Sequence, residues 1–124
     1  MRKNSTLPEA ASPEAMKEEG YQVFWTHTAQ QDLQRIIEYI ATDFGDQAKK
    51  VYFTLKQKAQ DLRQMPLRGR IAPELRFFNI LSYLEIISPP WRIIYKLSDD
   101  KVWILAVIDG RRNMEDILLE RFIQ

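Results

Sequence analysis

The chain contains no cysteine and a single histidine, His27. Without thiols there is neither a disulfide framework nor a thiolate metal site, and one imidazole cannot build a histidine cluster. No zinc enzyme or other metal site is expected. Long apolar runs are missing too: none approaches the roughly 20 residues that cross a bilayer, and the opening stretch "MRKNSTLPEAASPEAMKEEG" lacks the apolar middle of a signal peptide. No membrane partner is expected, and the simplest location is the cytoplasm. Charge of one sign is equally scarce. The 18 basic and 17 acidic residues nearly cancel, and residues 21–124 hold 15 against 13. So small an excess supports nucleic-acid binding only weakly, because phosphate-driven affinity needs several cations on one face. There is no GxxxxGK[ST], GxGxxG or GxSxG sequence and no carboxylate cluster at metal-ligand spacing. Nucleotide hydrolysis, dinucleotide binding and serine hydrolysis have no anchor, and no cofactor is implied.

What is present fits one domain, since 124 residues with 45% hydrophobic content can close a single core. Residues 1–20 are polar, contain Pro8 and Pro13, and read as a leader outside that core. One short helix is predicted in the leader, with Ser12 as N-cap, Pro13 at the first helical position and Gly20 as terminator. The domain then occupies residues 21–124. "YQVFWT" alternates Tyr21, Val23 and Trp25 on one face, as a strand does. Thr28 and Gln31 have the spacing of a capping box, and Leu33, Ile36, Ile37, Ile40 and Phe44 then repeat at helical spacing until Gly45.

Asp46 is the expected cap of a second helix, whose apolar set is Ala48, Val51, Tyr52, Leu55, Ala59, Leu62 and Met65, with Pro66 forbidding its continuation. So short a link folds the two helices into a hairpin. After "PLRGRIAP" the pattern becomes extended: "ELRFFNIL" with "SYLEIIS", then "WRIIYKL", then "VWILAVID". The tight links "PP" and "SDDK" make the last strands an antiparallel meander. Asn113 is placed to cap a final short helix that packs through Met114, Ile117, Leu118 and Phe122. The expected fold class is α+β, with a helical hairpin packed on a mainly antiparallel sheet and a short C-terminal helix.

The chemistry left over is a set of arginines at strand ends and in one loop: Arg68 and Arg70 in "PLRGR", Arg92 in "WRIIY", and Arg111 with Arg112 in "DGRR". Antiparallel neighbours run in opposite directions, so Arg92 and Arg112 are expected to converge. Convergent guanidiniums suit phosphate or carboxylate oxygens; the plainer reading pairs them with Glu85, Asp109 or Glu115. Gly110 is expected to supply a positive φ at the strand-to-helix turn. Tyr39, Phe53 and Phe24 lie off the apolar stripes and read as exposed.

The succession "DLQRIIEYI", "GRIAPEL", "YLEII…PWRIIYK" and "VWILAVIDGRR" resembles the RelE/ParE superfamily of toxins from bacterial type II toxin–antitoxin pairs, closer to its ParE-like members. The similarity covers residues 21 to about 121. It implies a cognate antitoxin whose C-terminal segment wraps the toxin, and one of two targets: DNA gyrase for ParE-like members, or mRNA in the ribosome for RelE-like ones. RNA cleavage without a metal needs a base, cations for the phosphorane and an acid for the leaving oxygen. Arg92 and Arg112 match two arginines of the ribonucleases, and Glu74 in "GRIAPEL" is similar to a glutamate of one ribonuclease subgroup. The ribonuclease lysine positions fall on Tyr83 and Glu85, its tyrosine near Leu118, and the histidine–tyrosine terminus is absent. Tyr95 is the remaining candidate acid. The departures favour a gyrase inhibitor that works by binding, with Arg68, Arg70, Arg92, Arg111 and Arg112 as contacts. Leu84–Glu85 departs from the Arg-Glu that ParE-like strands carry. An altered mRNA endoribonuclease and a degenerate antitoxin binder are the alternatives.

Overall fold

The computed structural model describes residues 20–123. The predicted leader helix, Gly20 apart, lies outside them. The elements run β1 (Gln22–Trp25), α1 (His27–Ala41), α2 (Gly45–Asp61), β2 (Arg70–Ile71), α3 (Pro73–Arg76), β3 (Leu84–Ser88), β4 (Trp91–Ser98), β5 (Lys101–Asp109) and α4 (Met114–Phe122). They form one five-stranded sheet in the order β1-β5-β4-β3-β2. The meander β3-β4-β5 is antiparallel as expected. β1 instead runs parallel to β5, which requires the crossover that the α1–α2 hairpin supplies.

Each face of the sheet carries its own core. On the hairpin face, Leu33 of α1 and Val51, Leu55 and Ala59 of α2 pack on Ile86, Ile93, Val102 and Ile104. On the other face, Met114 and Leu118 of α4 join Ala72, Leu75, Ile94, Ala106 and Ile108. Leu55, Ile93, Ile104 and Leu118 are wholly buried, and each contributes about 1.5–3 kcal/mol relative to exposure. The two faces stay distinct because strand side chains alternate. A register shift beside Ile94 and Tyr95 interrupts that alternation once: Ile94 faces Ala106 but Tyr95 faces Ile104, leaving Leu105 as the extra residue of a bulge.

Several local expectations are corrected. α1 is capped two residues before the proposed Thr28: Thr26 accepts from the Ala29 amide at 3.1 Å and donates its hydroxyl to the Ile104 carbonyl at 3.1 Å. The cap is thereby tied to the sheet, an anchor that a local capping-box pattern does not register. Asp46 sits in the first turn of α2 rather than at its cap, still favourable at the positive end of the helix dipole. Phe44 lies between the helices and is exposed, and Tyr52 and Met65 also face outward. Tyr52 follows Val51 by one residue, about 100° around the helix, and Met65 lies beyond the last turn.

"ELRFFNIL" is not a strand. Pro73 opens the single turn α3, Leu75 is its buried anchor, and Phe77 and Phe78 point outward with their rings edge to face. β2 and β3 pair antiparallel, so residues 72–83 must reverse the chain between them. Aromatic content imitated strand propensity here, and the need for a connection overrode it. Asn113 does cap α4, accepting from the Asp116 amide at 3.2 Å. Tyr39, Phe53 and Phe24 are exposed as expected.

Candidate functional site

Arg92 sits on β4 between Ile87 of β3 and Ile108 of β5, facing the α4 side. Glu85 lies two residues along β3 on the same face, a diagonal cross-strand neighbour. Both are buried. Arg92 Nε donates to Glu85 Oε1 at 2.7 Å, and its Nη2 also contacts that oxygen. The rest of the fork reaches α3, with Nη1 and Nη2 donating to the two oxygens of Glu74 at 2.9 and 2.7 Å. Arg70 Nε donates to the second Glu85 oxygen at 2.7 Å. The result is an alternating chain, Arg70–Glu85–Arg92–Glu74, with no net charge. The guanidinium bonded to Glu74 holds that carboxyl below its usual range, and the same bond raises Arg92. A carboxylate stabilised in this way is a poorer proton acceptor.

Tyr95 belongs to the hairpin-face core and is fully buried. Its hydroxyl donates to the Pro66 carbonyl at 2.7 Å and accepts from the Gly69 amide at 3.0 Å. Burial raises its pKa. The hydroxyl pins the "PLRGR" loop to the sheet, and a Cβ at Gly69 would come within 2.4 Å of the Glu85 carbonyl oxygen. That contact explains the glycine: the loop backbone passes too close for any side chain.

The "DGRR" turn lies on the hairpin side. Arg111 donates through Nε and Nη2 to the two Asp109 oxygens at 3.0 and 2.7 Å, and this pair holds Asp109 at about 2. Arg111 and Arg112 line a groove of about 550 Å³ together with Arg35, Tyr39 and Trp91, over an apolar floor of Ile36, Ile40 and Val51. Arg92 is not part of it. The expected meeting of Arg92 and Arg112 does not form, because Arg92 turns to the α4 face and is filled by Glu85 and Glu74. Gly110 is also corrected: Gly20 is the one glycine with positive φ among the described residues. What Gly110 provides is room, since a Cβ there would lie 3.0 Å from Arg92 Cδ and 3.2 Å from the Pro90 carbonyl oxygen.

Arg68 lines a further cavity of about 300 Å³ with Lys58, Arg70 and Ile87. The five arginines thus divide between two regions. Local acids satisfy Arg70, Arg92 and Arg111, as the plainer reading held. Reading the sequence missed Asp32, which is buried and accepts from the Val107 amide at 3.0 Å and from both Arg121 Nη atoms at 2.8 and 3.0 Å. Its signal was visible, for Asp32 interrupts the stripe of Ala29, Leu33 and Ile36. No group of three or more potential metal ligands exists among the described residues, and no helix there is long and apolar enough to cross a membrane.

The architecture is similar to solved toxin–antitoxin structures. One is the chromosomal ParDE TA system from P. aeruginosa, with a TM-score of 0.61 and 17% identity over 73% of this chain and 97% of that one. Another is the toxin–antitoxin complex RelBE2 from Mycobacterium tuberculosis, with a TM-score of 0.55 and 22% identity over 73% of this chain and 98% of that one. No curated protein sequence matches the chain. The family model described as "ParE toxin of type II toxin-antitoxin system, parDE" matches residues 23–114. That span runs from β1 to the first residue of α4 and takes in the whole charged cluster, so this chain belongs to the ParE toxin family of type II toxin–antitoxin systems.

Proposed function

We propose that this toxin acts by binding DNA gyrase, without catalysis of its own, and that a cognate antitoxin neutralises it. The observation that carries the reading is the saturation of Glu74, Arg92 and Tyr95, three of the four residues that match ribonuclease roles; Arg112 is the fourth. Glu74, the residue similar to a glutamate of one ribonuclease subgroup, is a carboxylate chelated by Arg92. Arg92, the candidate phosphate clamp, has Nε and both terminal nitrogens on Glu85 and Glu74. Tyr95, the candidate acid, has its proton on the Pro66 carbonyl. A base, an electrostatic clamp and an acid must all be free to meet the substrate. The antitoxin is supported by family membership and by the toxin–antitoxin complexes that share the fold.

Two assays on the purified chain test this. Gyrase supercoiling should be inhibited, and message in translating ribosomes should remain intact. Cleaved message would reverse the assignment in favour of the ribosome-dependent endoribonuclease. Arg111 and Arg112, both at the rim of the largest groove described, are proposed contacts for acidic groups of antitoxin or target. Arg112→Ala should weaken antitoxin affinity or growth inhibition, and no change in either would remove that role.

A further inference from the structure

The chain between β2 and β3 is held at several points that do not depend on one another. The Ala72 amide donates to the Tyr83 carbonyl at 3.0 Å, which closes the base. Glu74 is clamped through both oxygens by the buried Arg92, and Leu75 is wholly buried. The far end of α3 closes as a Schellman motif: the Ile80 amide donates to the Leu75 carbonyl at 3.0 Å, and the Asn79 amide to the Arg76 carbonyl at 2.8 Å. Asn79 takes the left-handed position of that motif, with φ 62°. Ile80 then joins Leu75 in the α4-face core, the apolar contact that commonly accompanies such a closure.

What this frame holds out to solvent is aromatic. Phe77 is 83% and Phe78 44% exposed, their rings edge to face with centroids 5.2 Å apart, and Leu81 beside them is 53% exposed. Neither ring belongs to the core of either face. A rigid turn that projects two aromatic rings has the form of an interface anchor, because aromatic residues lead binding hot spots and preorganisation lowers the cost of ordering them. The Glu74–Arg92 pair, closed to RNA chemistry, serves here as the mount. Arg76 is exposed and makes no ion pair among the described residues, so it sets a lone cation beside the rings. A second copy of this chain is a poor match for such a knob. An aromatic side chain buries about 150–250 Å² in full, so two partly exposed rings and one leucine fall short of the roughly 800 Å² per partner of a stable interface. A convex apolar knob instead fits a hollow, and Arg76 fits an acidic group at its rim.

We infer that the Phe77–Phe78 knob is the anchor by which this toxin holds its target, a protein with a concave apolar pocket and acidic groups at the rim. The inference rests on the reading that the toxin acts by binding, and it names the surface that does so. Leu75 and Ile80 root the knob on the α4 face of the sheet. The target's anchor and the Arg111–Arg112 groove therefore lie on opposite faces.

The test compares the full chain with the pair Phe77→Ser and Phe78→Ser, and with Phe77→Ser alone, once thermal unfolding shows that each keeps the parent's Tm. The half-inhibitory concentration against gyrase supercoiling should rise about 30-fold for the pair, the loss that truncating a hot spot entails. Growth inhibition should fall with it at equal soluble toxin, while the Kd for the protein encoded by the adjacent reading frame stays unchanged. Phe53→Ser, an exposed aromatic of α2 outside the knob, should leave gyrase inhibition as it was. If the parent inhibits gyrase and the pair inhibits it equally well, the anchor is overturned and the binding reading survives. If the parent leaves gyrase untouched yet the pair loses growth inhibition, the knob stands and gyrase is not the target. Undiminished growth inhibition by the pair would overturn the anchor whatever the target. So would an equal loss from Phe53→Ser, a matching loss of affinity for the adjacent protein, or a parent dimer that the pair dissolves.

Discussion

Removing the Glu85 carboxylate isolates the physics of the charged cluster. Glu85 is 1% exposed and Arg92 8%, so Glu85→Ala strips a desolvated guanidinium of one of its two carboxylates. Breaking a buried pair costs about 3–5 kcal/mol when the surviving charge is left alone. Here Arg92 keeps its bidentate contact with Glu74, so the expected cost is about 2–3 kcal/mol. Replacing both partners, Glu85→Leu with Arg92→Met, removes the charges together and should return stability to within about 1 kcal/mol of the parent. Glu74 and Arg70 retain access to water, with side chains 24% and 61% exposed. Urea unfolding followed by tryptophan fluorescence and circular dichroism measures both variants. A single-variant cost below about 1 kcal/mol, or a double variant worse than the single, would refute the argument that burial makes this pair interdependent.

Acid should weaken two other carboxylate–arginine pairs, Glu74–Arg92 and Asp109–Arg111. Glu74 and Asp109 both have lowered pKa values, Asp109 at about 2. Their stabilisation is therefore present above the unfolded values of 4.5 and 3.8 and is lost as pH falls through the lowered folded ones. Glu74→Gln with Asp109→Asn should flatten the fall in stability below that range, measured by thermal melts across pH. Tyr95→Phe leaves the Gly69 amide and Pro66 carbonyl without their partner, and unfolding should show a loss of about 1–3 kcal/mol. Growth inhibition by Tyr95→Phe in cells should persist at equal soluble toxin level, whereas abolition would give the hydroxyl a chemical role. Asp32→Ala should cost about 2–4 kcal/mol in the same unfolding assay, because it orphans the Val107 amide and the Arg121 guanidinium together.

Local pattern carried much of the fold. The helical hairpin, the three-strand meander and the Asn113 cap were legible because each depends on residues close in sequence. Gly69 and Gly110 show the limit: Gly69 is required by the Glu85 carbonyl and Gly110 eases a close approach of the Arg92 side chain, atoms far along the chain, and neither is set by its own φ. The segment "ELRFFNIL" misled for a related reason, since apolar content alone does not separate a strand from a connection that anchors one leucine. Part of the site was legible as well. The sequence offered five arginines and the acids nearest to them, yet it could not say which acid each arginine would meet.

Composition and spacing by themselves determined the class: an α+β fold without thiols or nucleotide motifs, a hairpin of helices against a meander, and arginines gathered at strand ends. Tertiary structure alone decided that β1 joins β5 in parallel, that Asp32 fills the sheet edge beyond β1, and that Arg92 faces away from Arg112. The reason is that side-chain direction in a strand reverses at every residue and shifts again at a bulge. A one-residue difference in register therefore exchanges the two faces, and only the assembled sheet fixes which charges share a side.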